Sequence, residues 1–383
     1  MKTADDLMLI GVGGAGCRLA ASISAEFSEV RMLLLDTDAR SLPDHPDSVL
    51  FGSVRLNGKS TGGDGSLGRQ AFLDSADELV LPRLEGVRLA IVITALGGGT
   101  GSGAVPELLR LLHVRGVVTL CFVSMPFGFE GASRRQTAQL FYPLFENTAD
   151  ALVVMPLDSV FKGYPEIELG EALENVFDLL SGAILSFWRL LLTPGFIEMD
   201  SERLIRLLQR GGGARFDVCR AEGEDRVREL LEQVKHSELL DIQKHVVSAR
   251  IVLLGILAGK DLRLSEIGEI VDFFRSKAEK GDVELGTVLN DAFAGRIELV
   301  VFTFDTWIAP PSAVQAVEPS ATDRIPEMSP LISTGRKSSR KRSASGEMPA
   351  AGRGRFRDTA PTIYNGQDLD KPTYQRRGIV LDR

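Results

Sequence analysis

Seven consecutive residues, Gly97 to Gly103, consist of five glycines, one threonine and one serine. They follow the apolar run Leu89–Thr94 and precede the helix-like segment Ala104–Leu112. Backbone N–H groups that no side chain covers can form a concave nest for anions, above all where a strand turns into a helix. A merely flexible turn is the alternative. The length of the run and its position between strand and helix favour a loop that wraps a terminal phosphate.

A second glycine loop, Gly11–Gly16, lies between the apolar run Leu7–Val12 and a helix-like stretch. Asp36 comes 20 residues after Gly16, at the spacing where a dinucleotide-binding enzyme places its ribose-binding acid. By itself this segment fits a nicotinamide-dependent oxidoreductase as well as a mononucleotide site. Such an enzyme has no use for the loop Gly97–Gly103, whereas two phosphate loops together indicate a polyphosphate ligand.

The first half of the chain alternates short apolar runs with helix-like segments, which predicts an α/β fold with a mainly parallel sheet. A long amphipathic segment, Glu171–Leu192, follows and predicts a central core helix rather than a membrane span, since Arg189 and Pro194 interrupt the apolar stretch. The next block predicts a second, α+β domain. The predicted strands are Leu7–Val12, Arg31–Leu35, Leu89–Thr94, Val117–Val123, Ala151–Met155, Ala249–Leu257 and Gly295–Phe304. Helices are predicted at Ser201–Arg210 and Glu224–His236.

The net charge of −8 conceals two parts of opposite sign, because the tail from Ala309 holds 13 Lys/Arg and 8 Asp/Glu. The tail is near +5 and the body near −13. Pro, Ser, Ala, Gly and Arg dominate the tail up to Gly366, which predicts a disordered basic linker. Its basic runs suit anionic lipid, DNA or an acidic subunit, or are simply solvated. Phe356 is the only aromatic residue interleaved in these runs, so base stacking is not supported and nucleic-acid binding is not expected.

The three cysteines are far apart and form no metal-ligand or disulfide pattern. We therefore expect no protein-built metal site and a reducing, cytoplasmic environment. His236 and His245 have no nucleophile or metal-ligand companions in the sequence, so ordinary core or surface roles are expected of them.

Residues 95–106, Ala-Leu-Gly-Gly-Gly-Thr-Gly-Ser-Gly-Ala-Val-Pro, closely resemble the tubulin/FtsZ signature. Other segments resemble FtsZ motifs in the same order along the chain, namely Gly11–Gly16, Asp36–Asp38, Gly62–Arg69, Pro126–Arg134 and Pro194–Asp200. Asp368–Arg377 resembles the short peptide by which FtsZ binds membrane tethers and regulators, which tubulin lacks. The resemblance to FtsZ covers residues 7–308 and the extreme C-terminus.

The resemblance implies five segments: a Rossmann-like nucleotide-binding domain at 1–170, a central helix with a catalytic-type loop at 171–200, an α+β domain at 201–308, a linker at 309–366 and a recognition peptide at 367–383. It implies GTP or GDP as ligand, with Mg²⁺. The residues expected to bind the nucleotide are Gly13, Gly14, Ala15, Gly16, Arg18, Asp36, Asp38, Gly62, Gly63, Asp64, Gly97, Gly98, Gly99, Thr100, Gly101, Ser102, Glu130, Arg134 and Gly182.

The resemblance also implies a head-to-tail filament for bacterial division, in which acidic side chains of one subunit polarise the water that attacks the nucleotide of the next. Asp200 matches this acidic pattern, although capping of the following helix is an equally ordinary role for it. Glu202 or Glu198 are candidates to replace the missing carboxylate. The implied location is the cytoplasm, with recruitment to the inner face of the membrane through the C-terminal peptide.

Several positions depart from the FtsZ pattern. Arg18 and Gly182 stand where we expect the side chains that read guanine, and Leu157 replaces a polar residue near the ribose. Arg203 replaces the second catalytic acid and sets a positive charge near the subunit interface. Two hypotheses follow: a polymerising GTPase, or a divergent structural or regulatory relative that assembles or co-assembles with a partner and hydrolyses GTP weakly or not at all.

Overall fold

The computed structural model describes residues 6–26, 31–160, 168–193, 196–197, 201–209, 212–237, 239–278 and 281–305, with residues 363–364 and 367–368. The chain divides into two compact units, Met1–Ile325 and Pro326–Arg383. In the second unit, Ile363–Tyr364 pairs antiparallel with Gln367–Asp368. All of the site residues discussed below belong to the first unit.

One ten-stranded sheet runs through the first unit in the order β3-β2-β1-β4-β5-β6-β7-β10-β8-β9. Its strands from β3 to β7 are parallel neighbours, β10 is antiparallel to β7 and β8, and β9 is parallel to β8. The strands are β1 Leu7–Val12, β2 Met32–Asp36, β3 Ser48–Leu50, β4 Leu89–Ala95, β5 Val118–Met125, β6 Ala151–Pro156, β7 Gly213–Glu222, β8 Ile251–Ala258, β9 Asp282–Leu289 and β10 Arg296–Phe304.

Ten α-helices within the described residues accompany the sheet. They are α1 Gly13–Glu26, α2 Ser53–Leu56, α3 Gly65–Leu73, α4 Gly99–Val114, α5 Ala132–Thr148, α6 Leu157–Val160, α7 Leu169–Leu192, α8 Ser201–Leu208, α9 Arg226–His236 and α10 Leu264–Lys277. Helices α1 and α7 pack on one face of the parallel part, and α3, α4 and α5 contribute to the core on its other face.

The α/β class and the mainly parallel sheet are confirmed, and the reason is visible in the strands. The central strands β1 and β4 are apolar along almost their whole length because both of their faces are buried under helices. The predicted strands and helices all form, with ends that differ by one or two residues. Strands β3, β7 and β9 were not predicted, and no bounds were predicted for helices α2, α3, α5, α6 and α10.

Helix α7 occupies the predicted central position. It is the one helix among the described residues long and apolar enough to cross a membrane, but over half of the relevant stretch is buried inside the fold. Phe187 and Trp188, for example, are almost completely buried. Its apolar composition is therefore accounted for by packing against the sheet.

The predicted second domain, residues 201–308 and called the second block here, does not have a separate sheet. Leu152 and Val153 of β6 pair with Gly213 and Ala214 of β7, so the parallel sheet continues into the strands of the second block. Ile197, in the loop before α8, contacts β9, the last strand in the order of the sheet. Its backbone N–H donates to Thr287 Oγ1 of β9 at 2.8 Å.

A buried guanidinium stabilises the second block. Arg226, at the start of α9, is 4% exposed and donates to Glu266 on α10 at 2.7 and 2.9 Å. It also donates to Asp261 at 2.6 Å. The Arg226 guanidinium holds the pKa of both carboxyl groups below their usual range. This cluster fastens α9 to α10 and to the loop before α10.

Replacing Arg226 by Gln is expected to destabilise the fold by about 3 kcal/mol, because two carboxylates lose their charged partner and one of them is largely buried. The free energy of unfolding in urea, compared with that of the wild type, measures the effect. Arg228→Gln is the matched control, since Arg228 lies two residues further along α9, is 71% exposed and pairs only at the surface. Equal stability of the two variants would show that the buried cluster contributes nothing.

Candidate functional site

The predicted phosphate loops converge at one edge of the sheet. Strands β2, β1 and β4 are parallel neighbours, so the segments that follow them leave the sheet at the same edge. We call the residues gathered there the glycine-loop site: Gly13–Gly16, Asp36–Asp38, Thr61–Asp64 and Gly97–Ser102. It lies where ligands bind in open α/β sheets, outside the carboxyl ends of the strands.

The loop Gly11–Gly16, called the first loop below because it comes first in the chain, is a tight turn directly into α1. Gly13 has φ +74°, a left-handed conformation that favours glycine. A Cβ on Gly16 would lie 2.3 Å from the carbonyl oxygen of Ile93, so only glycine lets α1 approach β4 this closely. The Cβ position of Gly13 is 3.4 Å from the backbone nitrogen of Gly101. The first loop therefore touches the start of α4.

Helix α4 begins inside the glycine run. We expected all seven residues of the run to form a loop, but Gly99 to Gly103 form the first helical turns and only Gly97 and Gly98 precede them. Gly98, the N-cap, has no side chain to satisfy the first N–H groups of α4. Ser102 instead accepts a hydrogen bond from the backbone N–H of Gly97 at 3.0 Å. The site thus presents the open, positive end of a 16-residue helix.

The loop Thr61–Asp64 and the start of α3 that follows it support α4 from another side. A Cβ on Gly103 would lie 1.8 Å from the carbonyl oxygen of Gly65, and one on Gly68 would lie 2.3 Å from that of Gly99. Glycine at these positions lets α3 and α4 pack backbone against backbone. Asp64 caps α3 by accepting from the Leu67 N–H at 3.1 Å. Gly62 and Gly63 both have positive φ and open space around them.

The turn after β2 is built by its own polar groups. Asp36 is 2% exposed. It accepts hydrogen bonds from the Thr37 N–H at 2.7 Å and from Ser41 Oγ at 2.6 Å. Asp38 is engaged by Arg40, whose guanidinium holds the pKa of this carboxyl below its usual range. The two carboxylates of this turn therefore shape it, and Asp36 is not presented to a ribose in the way that a dinucleotide-binding enzyme would require.

Thr37 connects this turn to α4. Its hydroxyl lies 2.8 Å from the hydroxyl of Thr100, and both side chains are buried. Neither Thr37 nor Ser41 was among the predicted site residues. Thr37 lies between Asp36 and Asp38, which were both predicted to bind the nucleotide. Its position in this motif could have identified it as a site residue.

Two charged groups stand beside the glycine run. The backbone oxygen of Arg134 would lie 3.1 Å from a Cβ on Gly97, which places the start of α5 against the loop. The Arg134 guanidinium pairs with Glu130, and Glu130 also accepts from the Phe127 N–H at 2.8 Å. Arg18 Nη1 is 3.7 Å from the Cβ position of Gly14. The exposed Arg18 therefore lies beside the first loop.

Two of the departures from the motif pattern lie elsewhere. Leu157 is buried in the core, and its neighbour Asp158 accepts from the Gly128 N–H at 2.9 Å. The structure does not bring Gly182 to the glycine-loop site. A Cβ on Gly182 would point at Arg220 of β7, 2.7 Å from its Nη2, so this position of α7 faces the second half of the sheet.

Glu202 lies at the opposite edge of the sheet. Both of its carboxylate oxygens accept from Arg88, at 2.6 and 2.8 Å, and Arg88 immediately precedes β4. The glycine run follows the other end of β4, which is seven residues long, and a strand of that length spans about 20 Å. Glu202 is therefore too far away to act on a ligand held by the glycine run of the same chain.

The surroundings of Glu202 and Arg203 limit their chemistry. The Arg88 guanidinium lowers the pKa of Glu202 to about 2, which makes it a weak general base at neutral pH. Arg203 pairs with Glu284 of β9, so its charge is offset within the chain. The other predicted catalytic residues, Glu198 and Asp200, lie outside the described residues. Arg88 and Glu284 were not predicted, and no local motif marks them.

No group of three or more His, Cys, Asp or Glu residues able to hold a metal ion occurs in the described part of the chain. Mg²⁺ is commonly held through one or two carboxylates and substrate phosphates rather than a cage of protein ligands. The three cysteines are buried, and burial raises the pKa of each thiol, so they are poor nucleophiles.

Two family models match the chain. The Tubulin/FtsZ family GTPase domain matches residues 6–165, and the FtsZ family C-terminal domain matches residues 212–305. The chain is 29% identical over 276 residues to cell division protein FtsZ 1 of Archaeoglobus fulgidus, covering 71% of this chain and 74% of that protein. It is 29% identical over 300 residues to FtsZ of Methanothermobacter thermautotrophicus, covering 78% and 77%.

The fold is similar to solved structures of the same group. An empty FtsZ dimer of M. jannaschii matches with a TM-score of 0.72 at 24% identity, over 78% of this chain and 88% of that one. CetZ2 from Haloferax volcanii, described as a GTPγS-bound protofilament, matches with a TM-score of 0.66 at 22% identity, over 81% and 94%. At these identities the likeness concerns the fold.

Gly103→Ala is expected to lower stability by about 1–3 kcal/mol, because the added methyl group cannot be placed without moving α3 away from α4. Gly98→Ala is the control, since nothing lies within 4 Å of its Cβ position and its φ of −85° suits alanine. The thermal unfolding midpoint without ligand reports the difference. Similar midpoints for both variants would contradict the close approach of the two helices.

Proposed function

This chain is an FtsZ-like member of the tubulin superfamily, and from that premise we propose that it binds GTP at the glycine-loop site and assembles head to tail into filaments. Hydrolysis would take place between subunits. The observation that carries the proposal is the uncapped start of α4, framed by the first loop and by Thr37. Backbone donors of this kind suit the β- and γ-phosphates of a nucleoside triphosphate.

The polarity of the sheet supports a site shared by two subunits. The glycine-loop site lies at the carboxyl end of β4, whereas the start of α8 lies at its amino end, where Arg88 holds Glu202. A carboxylate near α8 can reach a phosphate only when two copies associate. The end of the sheet that carries α8 in one copy must then face the glycine-loop site of the other. Assembly would then complete the active site.

Known relatives support self-assembly and a role in division. The structural neighbours include a dimer and a protofilament of other proteins, and the curated relatives are archaeal and bacterial cell division proteins. We therefore propose a cytoskeletal role in the cytoplasm, in bacterial division or a related task. Asp368–Arg377 stays our predicted contact for a membrane tether or regulator; of these residues only Asp368 lies within the described part of the chain.

Mixing the purified protein with GTP and Mg²⁺ is expected to raise light scattering above a critical concentration and to release phosphate. Gly98→Asp should abolish both, because it sets a carboxylate at the start of α4, where it would repel phosphate. Gly268→Asp, a like change within α10 where a Cβ also meets open space, should retain both. Failure of the wild type to bind GTP and to assemble would refute the proposal.

A site shared by two subunits also predicts that two inactive variants restore activity when they are mixed. Gly98→Asp and Asp200→Asn should each release little phosphate alone. A 1:1 mixture should recover part of the activity, because an Asp200→Asn copy keeps an intact glycine-loop site and a Gly98→Asp copy supplies Asp200 to it. A mixture that is no more active than its components would point to a site contained in one chain.

A second candidate function is a filament-forming protein that hydrolyses GTP slowly. Two contacts favour it: Glu202 is held by Arg88 as a weakly basic carboxylate, and Arg203, next to it, brings a positive charge that Glu284 offsets. Neither side chain is then suited to polarise an attacking water. In this case assembly would depend on nucleotide binding, and filaments would persist for long after GTP is added.

The double variant Arg203→Asp with Glu284→Gln tests this candidate. Arg203→Asp alone would set two carboxylates side by side, so the second change removes that repulsion. If hydrolysis is limited by the missing acid, the double variant should release phosphate about tenfold faster or more than the wild type, while Glu284→Gln alone should not. Rapid release by the wild type would rule the candidate out.

A further inference from the structure

A second cavity, distant in sequence from the glycine loops, lies between α7 and strands β7 and β10. Its volume is about 390 Å³, which is within the range of small-molecule sites. Three arginines line it, Arg189 from α7, Arg220 from β7 and Arg296 from β10. The carboxylates in its lining are Asp178 and Glu298. The guanidinium groups therefore outnumber the carboxylates.

Glu298 serves to fix Arg220 in place. One of its oxygens accepts from Ser186 Oγ of α7, and the other accepts from Arg220 Nε at 2.6 Å. Because Nε is the atom engaged, the two terminal nitrogens of Arg220 remain at the cavity. Gly182 of α7 makes room for them, since a Cβ there would lie 2.7 Å from Arg220 Nη2.

Phe293 brings the other two arginines together. The guanidinium carbons of Arg296 and Arg189 lie 4.9 and 5.7 Å from the centre of its ring. The N–H groups of Arg296 lie in the plane of its guanidinium, so contact with the ring leaves them able to donate to an anion. Within the described residues Arg296 has no carboxylate partner.

A neutral donor adds to this set. Asn290 accepts a hydrogen bond from the Ala292 N–H through Oδ1 at 2.9 Å, so its side-chain NH₂ group is left to donate. The cavity thus combines the charge of three guanidinium groups with one amide donor. Two carboxylates in the lining offset only part of that charge, so the net charge of the lining is positive and attracts an anion.

We propose that this cavity is a binding site for a small, multiply charged oxyanion. Carboxylate and phosphate groups both match the planar, two-pronged donor pattern of arginine, so polycarboxylates and phosphate compounds share the required chemistry. None of the residues of the glycine-loop site lines this cavity. The site joins α7 to the strands of the second block, and an occupant would strengthen that contact.

The test is calorimetric titration of the full-length protein at constant ionic strength, with saturating GDP present so that the glycine-loop site is filled. Citrate and inorganic pyrophosphate are the two probes. Saturable binding of either one is expected, and the one that binds identifies whether carboxylate or phosphate is preferred. Absence of saturable binding by both would overturn the proposal.

Three variants locate the site. Arg296→Gln should weaken binding about tenfold or more, since it removes a charged fork. Arg275→Gln, which removes the same charge from an exposed position on α10, should change the affinity less than twofold. Asp178→Asn should tighten binding several-fold, because it removes a negative charge from the lining.

These changes in opposite directions separate a specific site from general attraction. Arg296 and Asp178 are both exposed, so their replacement is not expected to unfold the protein, and the thermal unfolding midpoint without probe confirms this. If Arg296→Gln and Arg275→Gln weaken binding equally, the anion binds to surface charge only, and the cavity is not its site.

Discussion

The backbone contact of α4 with α3 and with the first loop is the constraint on which the rest of this structure depends. Carbonyl oxygens occupy the space that side chains would need at Gly16, Gly68 and Gly103. Because these helices and loops meet without side chains between them, the start of α4 stays buried on its flanks and open at Gly98. An anion site of this kind needs no charged side chain at its centre, since aligned peptide groups supply the positive potential.

The sheet sets the distance between the glycine-loop site and the start of α8. Its parallel strands place every nucleotide loop at one edge and the Arg88–Glu202 pair at the other. The pairing of β6 with β7 extends the same sheet into the second block, and Ile197 attaches the loop before α8 to β9 at its far end. A sheet of this length keeps the two ends of β4 about 20 Å apart, which is why the proposed catalytic site requires two molecules.

Much of the site could be predicted because its determinants are local. The glycine run, the turn after β2 and the segment before α5 each follow a strand whose apolar pattern is readable, although most of the glycine run is helix rather than the expected loop. The misses involve partners far apart in sequence. Thr37 with Thr100, Arg88 with Glu202 and Arg203 with Glu284 are pairs that no spacing rule could have found.

The sequence by itself determined the class of fold, most of its strands and the class of ligand, because strand burial and glycine conformation are properties of short segments. Only the tertiary structure decided which side chains are free to act. In the folded chain Asp36 is buried in its own turn, and Glu202 pairs with Arg88. Gly182 faces Arg220 rather than the glycine loops, and Arg220 lines one cavity with Arg189 and Arg296. Such outcomes depend on which distant groups come within a few ångströms, and the chain reveals that only when it is folded.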